Sequence, residues 1–431
     1  MNISQRTKSL SLALILFLFA LFVRVQYLHH ADFDNPFRGD AISYVAYAEN
    51  LNEFGIFSKE EDSDNPEPDS YWAPGYPVFI VIMGKFAKAF SLEPFSTLLY
   101  AQALLGALIC LYCFYIGKQY LTLGFAFSAA FLTAISPHLI SMGGYILTET
   151  LFSFLLLVSI YYYVLWLNKR NMLYAAVAGI LFALTSLVNP VIFFAPFILI
   201  LFDIITNKSA NRLNRQNITF LILFCLITGS WSLRNYINVA PEKASSSQRI
   251  LTNLIIGSHD DFYKIWRTHP LAPNNPATID EQRFKGEMSE FIATLADRIA
   301  EHPGHYAKWY FIDKPLLLWS WNILIGQGDI FIYPVKSSIY DKSNLALLSH
   351  VLMKALHPYL FFMALLGLFF LFFVKERNMA IIPLYSIVIY VSAVYVCLQA
   401  EPRYSIPLRP EMYLCAMFFL SHLMKRVKRQ K

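Results

Sequence analysis

Charge is scarce in this sequence. Only 15% of its 431 residues are Asp, Glu, Lys or Arg, against roughly a quarter in soluble domains, which excludes an ordinary water-facing surface for most of the chain. Three common catalytic signatures are also missing: there is no G-x-x-x-x-G-K phosphate loop, no H-E-x-x-H and no G-x-S-x-G. P-loop nucleotide chemistry, zinc-helix proteolysis and nucleophile-elbow hydrolysis therefore lack their residues. Cysteine is confined to Cys110, Cys113, Cys225, Cys397 and Cys415, each inside an apolar run. The CxxC spacing of Cys110 and Cys113 on an apolar helix reads as two small buried hydrophobes, not a redox or metal pair.

Hydrophobic residues fill the sequence instead, at 56%, in runs long enough to cross a bilayer at about 20 residues each. The expected fold class is an all-α polytopic membrane protein. Candidate spans fall near 10–28, 95–116, 121–140, 146–167, 172–188, 190–206, 218–238, 352–374, 379–398 and 407–424. The first follows Arg6 and Lys8 like a secretory signal, but the bulky Arg24-Val25-Gln26-Tyr27 offers no cleavage site, so it is kept as a span. Ten crossings place both termini on one side. Lys118, Lys169, Arg170, Lys208, Arg212, Arg215, Lys375, Arg377 and the tail from Lys425 to Lys431 fall on that side, whereas the turns near 138–145 and 189–190 carry no Lys or Arg. The positive-inside bias then makes both termini cytoplasmic. The net charge of +6 is mostly this bias; the basic tail suits anionic headgroups, and nucleic acid is not implied.

Two outer regions interrupt the single membrane domain, 1–431. The first, 29–94, opens with eleven acidic residues between positions 29 and 74 against two basic ones, Arg38 and Lys59. Within it, Asp40 to Phe54 reads as a short helix with Asp40 as N-cap and Gly55 as its stop, and Asp40, Tyr44 and Tyr47 share one face. Gly75 to Phe90, apolar but short and carrying Lys85 and Lys88, reads as a helix lying in the interface; a crossing there would turn every later basic loop outward. The second region, 240–350, is mixed in character. Its stretch 311–333 is either a re-entrant or interfacial segment or an eleventh crossing, and parity favours the former.

Asp40, at a helix start just outside the first span, can be held ionised by the helix dipole and can serve as general base. Glu149, in Leu147-Thr148-Glu149, falls at the outer mouth of a span, where an unpartnered charge is costly. Arg234 and Arg403 oppose the positive-inside trend, and guanidinium forks suit phosphate oxygens; Arg409 is a lesser candidate of this kind. Lys85 can reach a phosphate from the interfacial helix or snorkel. Tyr71, Trp72, Tyr76, His138 and Tyr145 read as interfacial aromatics that could also stack on a sugar. His259-Asp260-Asp261 reads as a polar loop and only weakly as a metal cluster.

Together these pieces resemble the polytopic C-type (GT-C) glycosyltransferases that use polyprenyl-phosphate sugars, in the branch of protein O-mannosyltransferases, lipid A aminoarabinose transferases and rhizobial galacturonosyltransferases. The resemblance rests on Gly39-Asp40 with Tyr44, Ala73-Pro74-Gly75-Tyr76-Pro77, Ser136-Pro137 ahead of Leu147-Thr148-Glu149, Trp231-Ser232-Leu233-Arg234-Asn235-Tyr236 and Arg403-Tyr404-Ser405-Ile406-Pro407. It implies a GT-C-like bundle of about 10 to 11 transmembrane helices with an outer-loop cap. It further implies an inverting transfer of a sugar from polyprenyl (undecaprenyl) phosphate to a hydroxyl of a lipid, glycan or protein acceptor, outside a bacterial inner membrane. Asp40 and Glu149 would take the catalytic positions, with Arg234, Arg403, Tyr404, Tyr44, Tyr76 and Lys85 binding substrate. No cofactor is required by this reading; a divalent metal stays open, although Ala41 stands where some members carry a second acid. The alternative from another class, a transporter or flippase of a lipid-linked sugar, would put its ionisable groups nearer the bilayer midplane.

Overall fold

The computed structural model describes residues 3–61, 63–206, 214–240, 243, 245–268, 275–371 and 381–430. Lys208, Arg212, Lys375, Arg377 and Lys431, part of the positive-inside argument, lie outside them. The regular structure of the described chain is helical, save for one short two-stranded ribbon, with loops at 54–74 and 319–334. In order come α1 (Ile3–His30), β1 (Asp32–Phe33), α2 (Asp40–Glu53), α3 (Gly75–Ala89), α4 (Pro94–Gly117), α5 (Leu123–Ile135), α6 (Pro137–Ser141), α7 (Glu149–Lys169), α8 (Met172–Val188), α9 (Ala195–Thr206) and α10 (Arg215–Asn238). A cap follows: α11 (Ser246–Ser258), α12 (Phe262–Thr268), α13 (Pro276–Arg283), α14 (Met288–Glu301), α15 (Pro303–Lys308), α16 (Lys314–Leu318), β2 (Val335–Ser337) and α17 (Ile339–Lys342). The bundle ends with α18 (Asn344–Phe370), α19 (Ile381–Cys397), α20 (Pro402–Ser405) and α21 (Arg409–Gln430).

Among the described residues every predicted span falls mainly on helix, 372–374 and 379–380 lying outside them, but the count of ten or eleven crossings is not reached on length and composition. Among the described residues α1, α4, α7, α10 and α18 suffice alone, and α5 with α6, bent by 53° at Pro137, makes a sixth. The bend is where proline removes a backbone donor. α8 is apolar but only 17 residues long, the apolar α9 and α19 border residues outside the described set, and α21 starts with Arg409 and Glu411 and ends in the basic tail. Small residues let helices approach closely, as expected where lipid gives no hydrophobic drive between helices: the buried face of α8 includes Ala175, Ala178, Gly179 and Ala183 beside the larger Phe182 and Val188. All five cysteines are free.

Two features fix the capped end of the bundle. β1 pairs antiparallel with β2, Asp32 opposite Ser337 and Phe33 opposite Val335, so the segment 303–338 leaves and returns at the end where α1 gives way to α2. Beside it, α11 to α14 close over a small second core of Leu251, Ile255, Phe262, Phe284, Phe291 and Leu295. That core is clasped by Asp280, which accepts from Arg298 at 2.7 and 3.1 Å and pairs with His259 at 2.9 Å. Burial alone would raise the Asp280 carboxyl, but the Arg298 and His259 contacts outweigh it and hold it below its ordinary value. His259 thus belongs to a structural clasp, and no group of three or more metal-ligating side chains occurs among the described residues.

Candidate active site

Asp40 is not the N-cap of α2. Gly39 takes that position with φ 57°, and no side chain caps the helix; Asp40 is the first helical residue. Its carboxylate turns away from its own helix because it has a better partner: Arg403 Nη2 lies 2.8 Å from Asp40 Oδ2. The same guanidinium donates through Nε to Glu149 Oε1. Three distant pieces of sequence meet here: the first turn of α2, the start of α7 and α20, which joins α19 to α21. The Glu149 and Arg403 side chains are 7% and 13% exposed, and Asp40 keeps 32%, so one carboxylate is open to a substrate while the other is sealed. Burial would lower the Arg403 pKa, but Glu149 and Asp40 raise it well above its ordinary value, and it stays charged.

Aromatic rings wall the carboxylate pair. Tyr44, one turn on from Asp40, packs on Trp72 and Tyr76 with centroids 5.0 and 5.2 Å apart. Burial raises its phenol well above the ordinary value and the Asp40 and Glu149 charges add to that, so Tyr44 is a neutral donor. Tyr76 donates to Gln102 Oε1 at 2.9 Å, and Gln102 in turn holds the carbonyls of Gly143 and Tyr145; this fixes the loop that delivers Glu149. Tyr404 stacks on Tyr395 at 4.8 Å and reaches Gln399 at 3.4 Å. Tyr76, His138 and Tyr145 are fully buried, so they are core, not an interfacial belt.

The structure separates two expected members from the rest. Arg234 donates to the carbonyls of Asp69 and Phe57 at 2.8 and 3.2 Å and lies over the Trp231 ring; it straps the acidic loop to α10. Lys85 lines a different cleft, between α2, α3 and α4. Arg409 is wholly buried against His357 and Ser320 O. In place of Arg234, Arg249 of α11 sits 4.4 Å over Trp72, and its charge acts on Tyr44 together with those of Asp40, Glu149 and Arg403.

Two further residues were missed by sequence reasoning. Tyr333 packs against Gly39, where a Cβ would come within 2.9 Å of its hydroxyl, and its phenol is pushed up to about 12 by burial and then by Asp40. Glu401, buried two residues before Arg403, accepts the Leu324 and Ile325 amides at 3.2 and 3.4 Å; it staples the 319–334 loop over the site. The available signal was the Gly326-Gln327-Gly328-Asp329 run, whose two glycines and Asp329 all adopt positive φ. For a metal, two carboxylates with a guanidinium already between them fall short of a protein-built cage, so no step below passes through one.

With this geometry in place, the relatives are informative. The model of the N-terminal part of oligosaccharyl transferase STT3 matches residues 12–266, more than half of the chain. The chain belongs to the oligosaccharyl transferase STT3 family. Within the GT-C class this is the branch that the family match selects. The fold also matches the archaeal oligosaccharyltransferase AglB of Archaeoglobus fulgidus, solved with an inhibitory peptide and a dolichol-phosphate: TM-score 0.54, 15% identity, covering 100% of this chain and 52% of AglB. The apo form of the Archaeoglobus fulgidus enzyme gives TM-score 0.54 at 14% identity, covering 100% of this chain and 53% of that enzyme. ArnT from Cupriavidus metallidurans, bound to undecaprenyl phosphate, gives 0.47 at 11% identity over 99% of this chain and 62% of ArnT. The STT3-family chain thus spans about half the length of its archaeal structural relatives. No curated protein sequence matches it.

Proposed function

We propose that this STT3-family protein is a membrane glycosyltransferase that moves a sugar from a polyprenyl-phosphate donor to an acceptor on a protein, lipid or glycan, with inversion, at the outer face of a bacterial inner membrane. The observation that carries the reading is the Asp40–Arg403–Glu149 bridge at the capped end. Two carboxylates and one guanidinium sum to a single negative charge, so Arg403 can turn to an incoming phosphate only by loosening from Asp40. That exchange frees Asp40 to take the proton of the attacking acceptor group as the phosphate departs. Glu149 keeps Arg403 in register, and a well-placed donor on the leaving phosphate contributes about 3 to 4 kcal/mol to the transition state. Arg249 is positioned to add a second.

The donor's chain has a place to lie. An apolar groove of about 410 Å³ lined by Ile312, Leu316, Trp319, Phe361, Leu365 and Ile389 is walled by α16, α18, α19 and α21, and the α19–α21 connection carries Arg403. The dolichol-phosphate and peptide present in the archaeal structure of similar fold support a polyprenyl-phosphate donor and favour a protein acceptor. The test uses the full chain in lipid nanodiscs with a radiolabelled undecaprenyl-phosphate sugar. Covalent label on a supplied peptide, glycan or lipid acceptor is expected from the wild type and not from Asp40→Asn. Label that only crosses the membrane would make the protein a flippase, and full turnover by Asp40→Asn would remove the base.

A further inference from the structure

A large cleft lies apart from Asp40. It lies behind α2, has a volume of about 760 Å³, and is bounded by α2, α3 and the start of α4, a size in the range of built ligand sites. Its floor is apolar, with Val45, Ile80, Val81, Leu98 and Ile146; its rim carries Lys85 and Lys88 on α3 and Glu49 and Glu53 on α2. Neither lysine has an ion pair or hydrogen bond among the described residues, and both are exposed. α3 itself presents Val78, Ile82, Phe86 and Phe90 outward, 38 to 64% exposed at four-residue spacing. That stripe is a lipid-facing surface. Gly84, at the centre of the cleft wall, has open space where a side chain would go.

We infer that this cleft is a binding site for a glycerophospholipid with a zwitterionic, phosphoethanolamine-type headgroup, separate from the donor site. The chemistry follows from the two signs at the rim. An acyl chain takes the apolar floor, the phosphate meets the unpaired Lys85 and Lys88, and the ammonium faces the acidic edge of α2. A lipid with an anionic headgroup and no ammonium leaves Glu53 facing like charge, and a headgroup without chains leaves the floor uncovered. The reading is independent of the glycosyl-transfer proposal, because none of its rim residues touches Asp40, Glu149 or Arg403.

The test is native mass spectrometry of the delipidated full chain, titrated with phosphatidylethanolamine, phosphatidylglycerol or soluble phosphoethanolamine. Phosphatidylethanolamine is expected to be retained in preference to both others. The Lys85→Ala/Lys88→Ala protein should bind it about twentyfold more weakly, at roughly fivefold per interfacial lysine, and Gly84→Trp should abolish the bound species by filling the cleft. Both variants alter positions with no packing to lose, and an unchanged elution volume on size exclusion confirms the fold. Equal retention of phosphatidylglycerol, binding of soluble phosphoethanolamine as tight as that of the lipid, or undiminished binding by Gly84→Trp would each overturn the assignment.

Discussion

Removing the central cation should cost far more stability than neutralising the exposed anion, Asp40. At 2.8 Å, the gross attraction between Arg403 and Asp40 is about 6 kcal/mol at an effective dielectric of 20, most of it offset by desolvation of an arginine only 13% exposed. In Arg403→Met, Glu149 and Asp40 are left as two carboxylates without a cation, one of them 7% exposed. Loss of one partner of such a buried pair costs about 3 to 5 kcal/mol. In Asp40→Asn the Arg403–Glu149 contact survives and the amide oxygen can still accept from Nη2, so the cost is about 1 kcal/mol. The expected order of thermal stability is wild type, then Asp40→Asn slightly below, then Arg403→Met well below. Restoring charge balance in Arg403→Met/Glu149→Gln should recover more than half of the loss. The assay is fluorescence-detected size exclusion after a heat step, on protein in one detergent at pH 7.5. Equal losses for Arg403→Met and Asp40→Asn, or no recovery in the double variant, would refute the claim that Arg403 neutralises both acids.

Three further outcomes follow from other contacts. Glu401 is raised to about 7, first by burial, with Arg403 and the Leu324 and Ile325 amides opposing; because the folded state holds the proton more tightly than the unfolded chain, stability should fall as pH rises from about 4.5 to 7, by at most about 1.4 kcal/mol per pH unit. Glu401→Gln keeps an acceptor for the two amides and should flatten that slope, which melting temperatures across pH 4.5 to 8 will show; an unaltered slope counts against Glu401 as its source. Gly326→Ala places a Cβ 1.7 Å from Ile332 O at φ +103°, so the 319–334 loop should lose its conformation; faster amide exchange at 319–334 with α7 unaffected is expected, and wild-type protection would contradict it. Asp280→Ala orphans Arg298 and His259 and should loosen the second core by about 3 kcal/mol, read as protease cleavage between α11 and α14 while the membrane helices stay intact.

The helices and the chemistry were legible to different degrees for a physical reason. A bilayer demands apolar runs of set length, so the spans left a local trace, and the short α8, the α9 and α19 that border undescribed residues, and the charged α21 blurred the count. Asp40, Glu149 and Arg403 could be picked out because each is a charge placed where the hydrophobic pattern ends. Arg234 met the same criterion and has another purpose: a charge at a helix end also arises when a loop carbonyl needs a donor, and nothing local separates the two cases. Arg249 and Tyr333 were invisible for the converse reason. Arg249 sits in a polar helix where arginine is unremarked, and Tyr333 comes from a loop nearly 300 residues along the chain from the aspartate it covers. The N-cap reading of Asp40 failed because a tertiary partner 363 positions away outcompeted the adjacent backbone.

The ribbon formed by Asp32, Phe33 and residues 335–337 has a consequence for how the site is held. Since Asp40 follows one of its strands within a few residues and Tyr333 precedes the other, a single short pairing anchors both the aspartate and the tyrosine. The other wall near Asp40, where Arg249 lies 4.4 Å over Trp72, has no such strand pairing, so the ribbon is what ties the two chain segments at the site to one another.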